Sequence, residues 1–346
     1  MQSNNNNKIF EIRKIQITGG STYLVSLPKK WVKKIGLEPG AQVALFESEI
    51  YKGKLIIDPQ YTEVEKIKEV DIEIKEDKGF DLRRELLAAY LFGYDLMNIK
   101  SSIDKNISLN QREEIKNMIQ KLIGIEIVEE SSKIIKVQCL ISTVALPLKK
   151  TIERIFLIVF QMLQDAIQSI ITDDIKLAHN VIDRDEEVNR LYFLCVRQLR
   201  SSIQDANIAR LSKITPLQCL DYRVIAKAIE NAGDHIVEII KIYLSVVVDK
   251  KLKLPTNIKN KIFEITSKVL DMLNKSNQVM STRSMELAIE VIGNDKAELK
   301  TKADDLRRFI NTPTFSNWTL SIDSILDLII KISDVAGVDI ADLVMS

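Results

Sequence analysis

Two carboxylates four residues apart, Glu230 and Asp234, lie near the middle of the stretch Thr215 to Leu244, TPLQCLDYRVIAKAIENAGDHIVEIIKIYL. On a helix that spacing puts both on one face, one turn apart. Upstream, Asp185 and Asn189 repeat the spacing. Two facing helices carrying such pairs would offer a patch of oxygen ligands. Patches of this kind bind hard cations, or iron or zinc where coordination positions stay open. The competing reading is a solvated acidic face, because like charges at this spacing cost an isolated helix only ~0.2–0.5 kcal/mol. His235 follows Asp234, and His179 stands four residues before Asp183. His179 reads as an exposed polar residue rather than a ligand.

Covalent and acid–base catalysis find little support. There is no P-loop, no GxGxxG after a strand, no GxSxG and no HExxH. Gly19-Gly20-Ser21 could cradle a phosphate, but a hairpin turn explains it better. Neither histidine is near a candidate nucleophile, so no enzyme is expected.

The elements that must position these residues follow from pattern. The 346 residues suit two or three domains, and 46% are hydrophobic, enough for real cores. A net charge of +1 means that charge matters only where it clusters. Cys139, Cys195 and Cys219 are far apart and odd in number, which suits reduced, mostly buried thiols of a cytosolic protein. The opening MQSNNNNKIF lacks the layout of a secretion signal, and its Asn-rich residues 1–7 read as a disordered lead. Apolar runs such as Ile155 to Phe160 fall short of the ~20 residues of a membrane span, so a soluble chain without membrane insertion is expected.

Residues 8–60 read as β-rich. Ile12 to Ile17 alternates, Gly19-Gly20 turns, and Tyr23 to Leu27 is a second strand. Pro28 opens a short helix closed by Gly36, and Val43 to Phe46 with Leu55 to Ile57 forms a hairpin around Gly53. Residues 68–142 read as an α+β module of order β-α-β-α-β-β. Its strands are Asp71 to Lys75, Met97 to Ile103, Ile125 to Val128 and Ile134 to Leu140, and its first helix is Leu82 to Tyr94. Ser108 and Gln111 form a capping box for the second helix. A dimerisation or spacer role suits this module better than ligand sensing.

Residues 147–346 are helical almost throughout, as six helices near 149–172, 174–203, 216–248, 255–281, 284–309 and 316–344. Pro216, Pro255 and Pro313 mark boundaries. On the third, the apolar stripe runs from Leu217, Leu220 and Val224 through Ile225, Ala228, Ile229, Ala232 and Ile236 to Ile240. The region repeats itself: Ala178 to Val188 matches Ala288 to Glu298, and Glu230 to Asp234 matches Ile330 to Asp334. Two three-helix bundles side by side are the simplest architecture.

The segments RVIAKAIENAGDHIVEI and VIDRDEEVNRLYFLCVRQLR, over residues 149 to 344, resemble the PhoU family of phosphate-signalling proteins. In that family E/D-x-x-x-D motifs on repeated three-helix bundles hold metal clusters. The resemblance implies a single site at Asp185, Glu187, Glu230 and Asp234 for one divalent or transition ion: iron, zinc or magnesium. Asn189 stands where the family prefers a carboxylate. In the second repeat Leu299 and Ile330 replace Asn189 and Glu230, leaving Asp295 and Asp334, so no second cluster is expected. Asp323 and Asp327 are expected to be solvated.

RKIQITGGSTYLVSLPKKWVKKIGLEPGAQVAL resembles the AbrB/MazE/SpoVT swapped-hairpin domain, whose members dimerise by interleaving hairpins and bind DNA. Charge agrees independently. Residues 1–60 hold nine basic residues against five acidic, and six of the nine lie between Arg13 and Lys34. Such a surface supplies phosphate contacts, which position a protein on DNA. The resemblance makes Arg13, Lys33 and Lys34 the leading DNA contacts, with Lys14, Lys29 and Lys30 beside them. Trp31 reads as packing of the helix.

An AbrB-like domain fused to PhoU-like bundles, with RRELLAAYLFGYD and KLIGIEIVEESS between them, resembles archaeal phosphate-uptake regulators. The implied protein is a cytoplasmic homodimer that binds DNA and regulates transcription, its bundles sensing phosphate status through a transporter or signalling partner. The alternative is an adaptor that docks on a phosphate ABC transporter and uses its N-terminal domain only to dimerise. A metal-dependent enzyme and an antitoxin-like binder are weaker rivals. The long helical region argues against the antitoxin.

Overall fold

A computed structural model describes residues 11–48, 53–59, 67–75, 81–101, 105–141 and 146–345. The Asn-rich lead and the end of the strand expected to reach Ile103 lie outside them. The chain divides into two compact units, residues 1–66 and 67–346.

In the first unit β1 (Gln16–Thr18) pairs antiparallel with β2 (Thr22–Leu24), with Ile17 opposite Tyr23. Gly19 and Gly20 take φ of 62° and 82° in the three-residue loop Gly19–Ser21, a left-handed backbone that glycine adopts without steric cost. After Pro28, whose fixed φ suits a helix start, comes α1 (Lys29–Ile35). It closes at left-handed Gly36 with the Leu37 N–H donating to the Val32 carbonyl at 3.1 Å. β3 (Ala44–Glu47) and β4 (Leu55–Asp58) form the expected second hairpin. β1 is shorter than the alternation from Ile12 predicts, because residues 12–15 find no strand to pair with among the described residues. Among the described residues of this unit no hydrophobic side chain is buried, and Ile12, Ile15, Ile17 and Tyr23 are 63–86% exposed.

The second unit begins with the α+β module. Its strands are β5 (Glu69–Glu73), β6 (Leu96–Lys100), β7 (Ile125–Glu130) and β8 (Ile134–Cys139), in sheet order β5-β6-β8-β7. β5 and β6 run parallel, joined through α2 (Leu82–Phe92), and the other pairs are antiparallel. The β-α-β-α-β-β order matches expectation, with β5 two residues early. The Asp81 carboxylate caps α2, and Ser108 and Gln111 form the capping box of α3 (Leu109–Gln120). Tyr90, Met97, Ile99, Ile115, Ile135 and Val137 make a dry core between sheet and helices.

The remainder is helical: α4 (Leu148–Thr172), α5 (Ile175–Gln204), α6 (Ala206–Ser212), α7 (Pro216–Leu244) and α8 (Thr256–Thr282). α9 (Met285–Glu290) continues through a π-helical turn, Val291–Asp295, into α10 (Lys296–Ile310). α11 (Thr319–Ile332) continues through Ser333–Val338 into α12 (Asp339–Met345) in the same way. The six expected helices are present within a few residues, with α6 added. The two repeats align in sequence without a gap over their first helix and into the second as far as the π-helical turn, which adds one residue to the second repeat. Ile152, Ile155, Val159, Met162 and Leu163 of α4 correspond to Ile262, Ile265, Val269, Met272 and Leu273 of α8, and all ten are buried. Asp173 and Arg283, the left-handed residues that end these helices, correspond as well (φ 55° and 54°), as do the following caps Asp174 and Ser284. Both repeats feed one continuous apolar core. Each fully buried Leu, Ile or Val in it contributes ~1.5–3 kcal/mol. α4 is long and apolar enough to cross a membrane by length and composition, and half of that apolar window is buried in the bundle. On α7 the apolar stripe is buried from Ile225 onward, whereas Leu217, Leu220 and Val224 are exposed.

One side chain ties module to bundle. Arg197 of α5 is 1% exposed. Its guanidinium donates to the carbonyls of Tyr90 and Tyr94 (2.9 and 2.7 Å) and to Asp95 (2.7 Å), and lies over the Tyr90 ring. The second Asp95 oxygen accepts from the Lys68 N–H at 2.9 Å, just before β5. Removing a buried guanidinium leaves these acceptors unmet, a loss of roughly 2–4 kcal/mol. Arg197→Met should therefore lower unfolding stability by about that amount in urea titrations and speed amide exchange in β5 and β6. Unchanged exchange there would show that the apolar contacts alone hold the module.

Candidate functional site

α5 and α7 are built to place carboxylates. α5 starts under the Asp174 carboxylate, which accepts from the Leu177 N–H at 3.0 Å. α7 starts with a Thr215–Gln218 capping box and Pro216 in its first turn. The two helices pass closely at Gly233, where a Cβ would meet Val159, Val188 and the Asp185 Oδ1 at 3.5–3.8 Å. That close passage brings Asp185 toward Glu230 and Asp234.

The three acids share one electrostatic environment. Asp185 is half-buried, and its Oδ2 accepts from the Asn189 side-chain amide at 3.0 Å. Its Oδ1 is buried and accepts no hydrogen bond among the described residues. Burial first, and then the Asp234 charge, push its carboxyl above the ordinary range against the Asn189 hydrogen bond. Glu230 is buried and pairs with Lys227. Burial raises its carboxyl too, outweighing Lys227, with Asp234 and Asp185 adding to the rise. Asp234 is exposed at the edge. His235 titrates below its usual value because burial and the neighbouring Lys331 disfavour the imidazolium.

Glu187 does not join this group. Its carboxylate accepts from Arg154 at 2.7 Å on an exposed surface, since two residues along a helix turn a side chain about 200° away from Asp185. Among the described residues no three His, Cys, Asp or Glu side chains converge closely enough to hold a metal ion. The placed donors thus do not fit the four-residue metal site expected from sequence. The Asp185 Oδ1 is the donor that still lacks a partner. Asp185 and Asn189 also face a groove of about 570 Å³, whose other wall is Leu87, Met118 and Lys121 of the α+β module. That wall could not be foreseen from the bundle sequence. His179 is exposed, as expected. Asp323 and Asp327 clasp Arg307, with Asp323 accepting at 3.0 Å, and their carboxylates stay about half exposed, in keeping with the expected solvation. Asp334 pairs with Lys296 at 3.0 Å.

Four of the candidate basic residues lie on one short helix, and Arg13 and Lys14 lie in the segment before β1. Lys29, Lys30, Lys33 and Lys34 are exposed on α1, and Lys33 and Lys34 occupy its last turn, where cations are favoured by the helix dipole. Lys14 is exposed, while Arg13 pairs with Glu11. Trp31 is half-buried against its own unit.

The raised carboxyl of Asp185 has a definite pH consequence. A folded-state pKa above the unfolded value makes the ionised carboxylate a cost to folding. That cost is fully present above the folded pKa and disappears as pH falls below the unfolded one. Asp185→Asn should therefore raise the melting temperature at pH 7 in the presence of a chelator. The gain should shrink toward zero by pH 3, as followed by thermal denaturation across that range. A destabilised variant at pH 7 would mean that the carboxylate is already compensated.

Comparison with protein families agrees with this division of the chain. Residues 152–243 match the model described as the PhoU domain, a span running from α4 to the end of α7, the first three-helix repeat. Residues 16–65 match the model described as antidote-toxin recognition MazE, bacterial antitoxin. No curated protein matches the chain. The chain therefore carries a MazE-type domain at its N-terminal end and a PhoU domain in its helical bundle, the architecture that its motifs predict.

Proposed function

We propose that this chain is a cytoplasmic, homodimeric DNA-binding regulator of phosphate uptake. In this reading the N-terminal unit docks on operator DNA, and the helical bundles sense phosphate status through a transporter or signalling partner. The two domain matches support phosphate regulation and DNA-binding regulation in general. The observation that carries the finer reading is the N-terminal unit itself, which has two hairpins, an exposed basic helix and no buried hydrophobic side chain among its described residues. Isolated two-stranded hairpins are at best marginally stable in water. Ile12, Ile15, Ile17 and Tyr23 need a second surface, and a second copy of the same unit supplies it. A two-fold dimer then presents Lys33 and Lys34 twice, which suits a pseudo-palindromic site. Any regulatory bias requires that the partner bind the DNA-competent state with different affinity from the other state.

Capture of genomic DNA fragments by the purified chain at low and moderate salt tests the reading. Enrichment of sites upstream of phosphate-transport genes is the expected result. Weak retention at low salt only, without sequence enrichment, would favour the adaptor. Lys33→Ala with Lys34→Ala should weaken binding to a retained site and reduce the slope of log affinity against log salt by up to ~2. The circular dichroism spectrum should not change. Unaltered affinity would remove α1 from the DNA interface.

A further inference from the structure

The junction of the two repeats holds a cavity of about 320 Å³ between the start of α7 and the end of α8, with α12 beside them. That volume lies within the range of small-ligand sites. Its walls divide by chemistry. Tyr222 and Ile225 of α7 and Met280 of α8 give it an apolar floor, and Asp221 and Arg283 add one charge of each sign. Ile225 is buried, whereas the Arg283 side chain reaches solvent. Thr215 and Gln218 also border the space, but they are engaged in the capping box of α7. There each side-chain oxygen accepts from the other residue's backbone N–H, at 3.2 and 3.0 Å.

The two charges are not used by the fold. Neither the Asp221 carboxylate nor the Arg283 guanidinium forms a hydrogen bond or an ion pair among the described residues. They line one space without closing on each other. The first repeat shows the contrast at the end of its own first helix. Asp173, which ends α4 as Arg283 ends α8, accepts from Lys259 Nζ at 2.6 Å and from the Tyr243 hydroxyl at 3.1 Å. There the charge that ends the helix binds α4 to α7 and α8. At the corresponding place in the second repeat the charge binds nothing and faces the cavity.

We propose that this cavity binds a free amino acid with an apolar side chain. The ligand carboxylate meets the Arg283 guanidinium, whose forked N–H donors match a carboxylate. The ligand ammonium faces Asp221, and its side chain packs on Tyr222, Ile225 and Met280. A ligand with one charge leaves the other charge of the cavity unmet, and a purely apolar ligand leaves both. A zwitterion with an apolar group satisfies all three walls. α7 belongs to the first repeat and Met280 and Arg283 to the second, so an occupied cavity links the repeats across their junction. Such binding requires neither DNA nor a phosphate-related partner.

The test is equilibrium dialysis of the full chain against radiolabelled L-leucine, L-methionine and L-phenylalanine. At least one should be retained, at one site per chain. Asp221→Asn and Arg283→Gln should each weaken retention roughly tenfold or more, because each removes a charge-assisted contact. Both variants should keep the native circular dichroism spectrum, since neither side chain holds the fold together. On the native chain, the amine and the acid that each carry only one charge of the retained amino acid (isoamylamine and isocaproic acid for leucine) should compete roughly tenfold or more weakly than the amino acid itself. If a variant does not fold, these two competitors decide. Absence of retention for all three amino acids at millimolar concentration overturns the proposal. So does native-like retention by either folded variant, or competition by a one-charge analogue as strong as that of the amino acid.

Discussion

A carboxylate enclosed between packed helices must find a positive charge, a proton or enough hydrogen-bond donors, because leaving it ionised and alone costs more than most single contacts return. The helical bundle meets this constraint once in each of its two repeats, and the responses differ. Asp295 is flanked by two lysines from the neighbouring helix, so it stays ionised inside the protein. Asp185 has one amide, and burial with the Asp234 charge pushes its carboxyl above the ordinary range instead. The first helices of the two repeats, α4 and α8, share their apolar pattern.

α5 connects that carboxylate to the rest of the second unit. It carries Asp185 and Asn189 near its middle and Arg197 further on, and Arg197 is locked into the module through Tyr90, Tyr94 and Asp95. The groove beside Asp185 is walled on one side by α2 and α3 residues of the same module. A change in charge at Asp185 therefore acts on a helix that cannot move without the α+β module moving or releasing it.

The N-terminal unit obeys a different economy. Its turns are well specified by Gly19, Gly20, Gly36 and Pro28, but its apolar side chains remain in solvent in a single chain. Local geometry is fixed by turn chemistry, and stability has to come from surface that the single chain does not provide.

By itself the sequence determined the elements. Pro216, the Ser108–Gln111 box and Gly36 placed helix ends to within a few residues, because capping is a local interaction between neighbours in the chain. Helical periodicity likewise located the buried stripe of α7 from Ile225 onward, though not the exposure of Leu217, Leu220 and Val224. Only the tertiary structure decided what each carboxylate meets. It turned Glu187 to Arg154, clasped Asp323 and Asp327 around Arg307, and set Lys268 and Lys275 against Asp295. The two-turn spacing of those lysines on one face was legible in the chain, but not their partner. Spacing along a helix states which residues share a face; which side chain of another helix stands opposite depends on how the helices cross, and no local pattern encodes that.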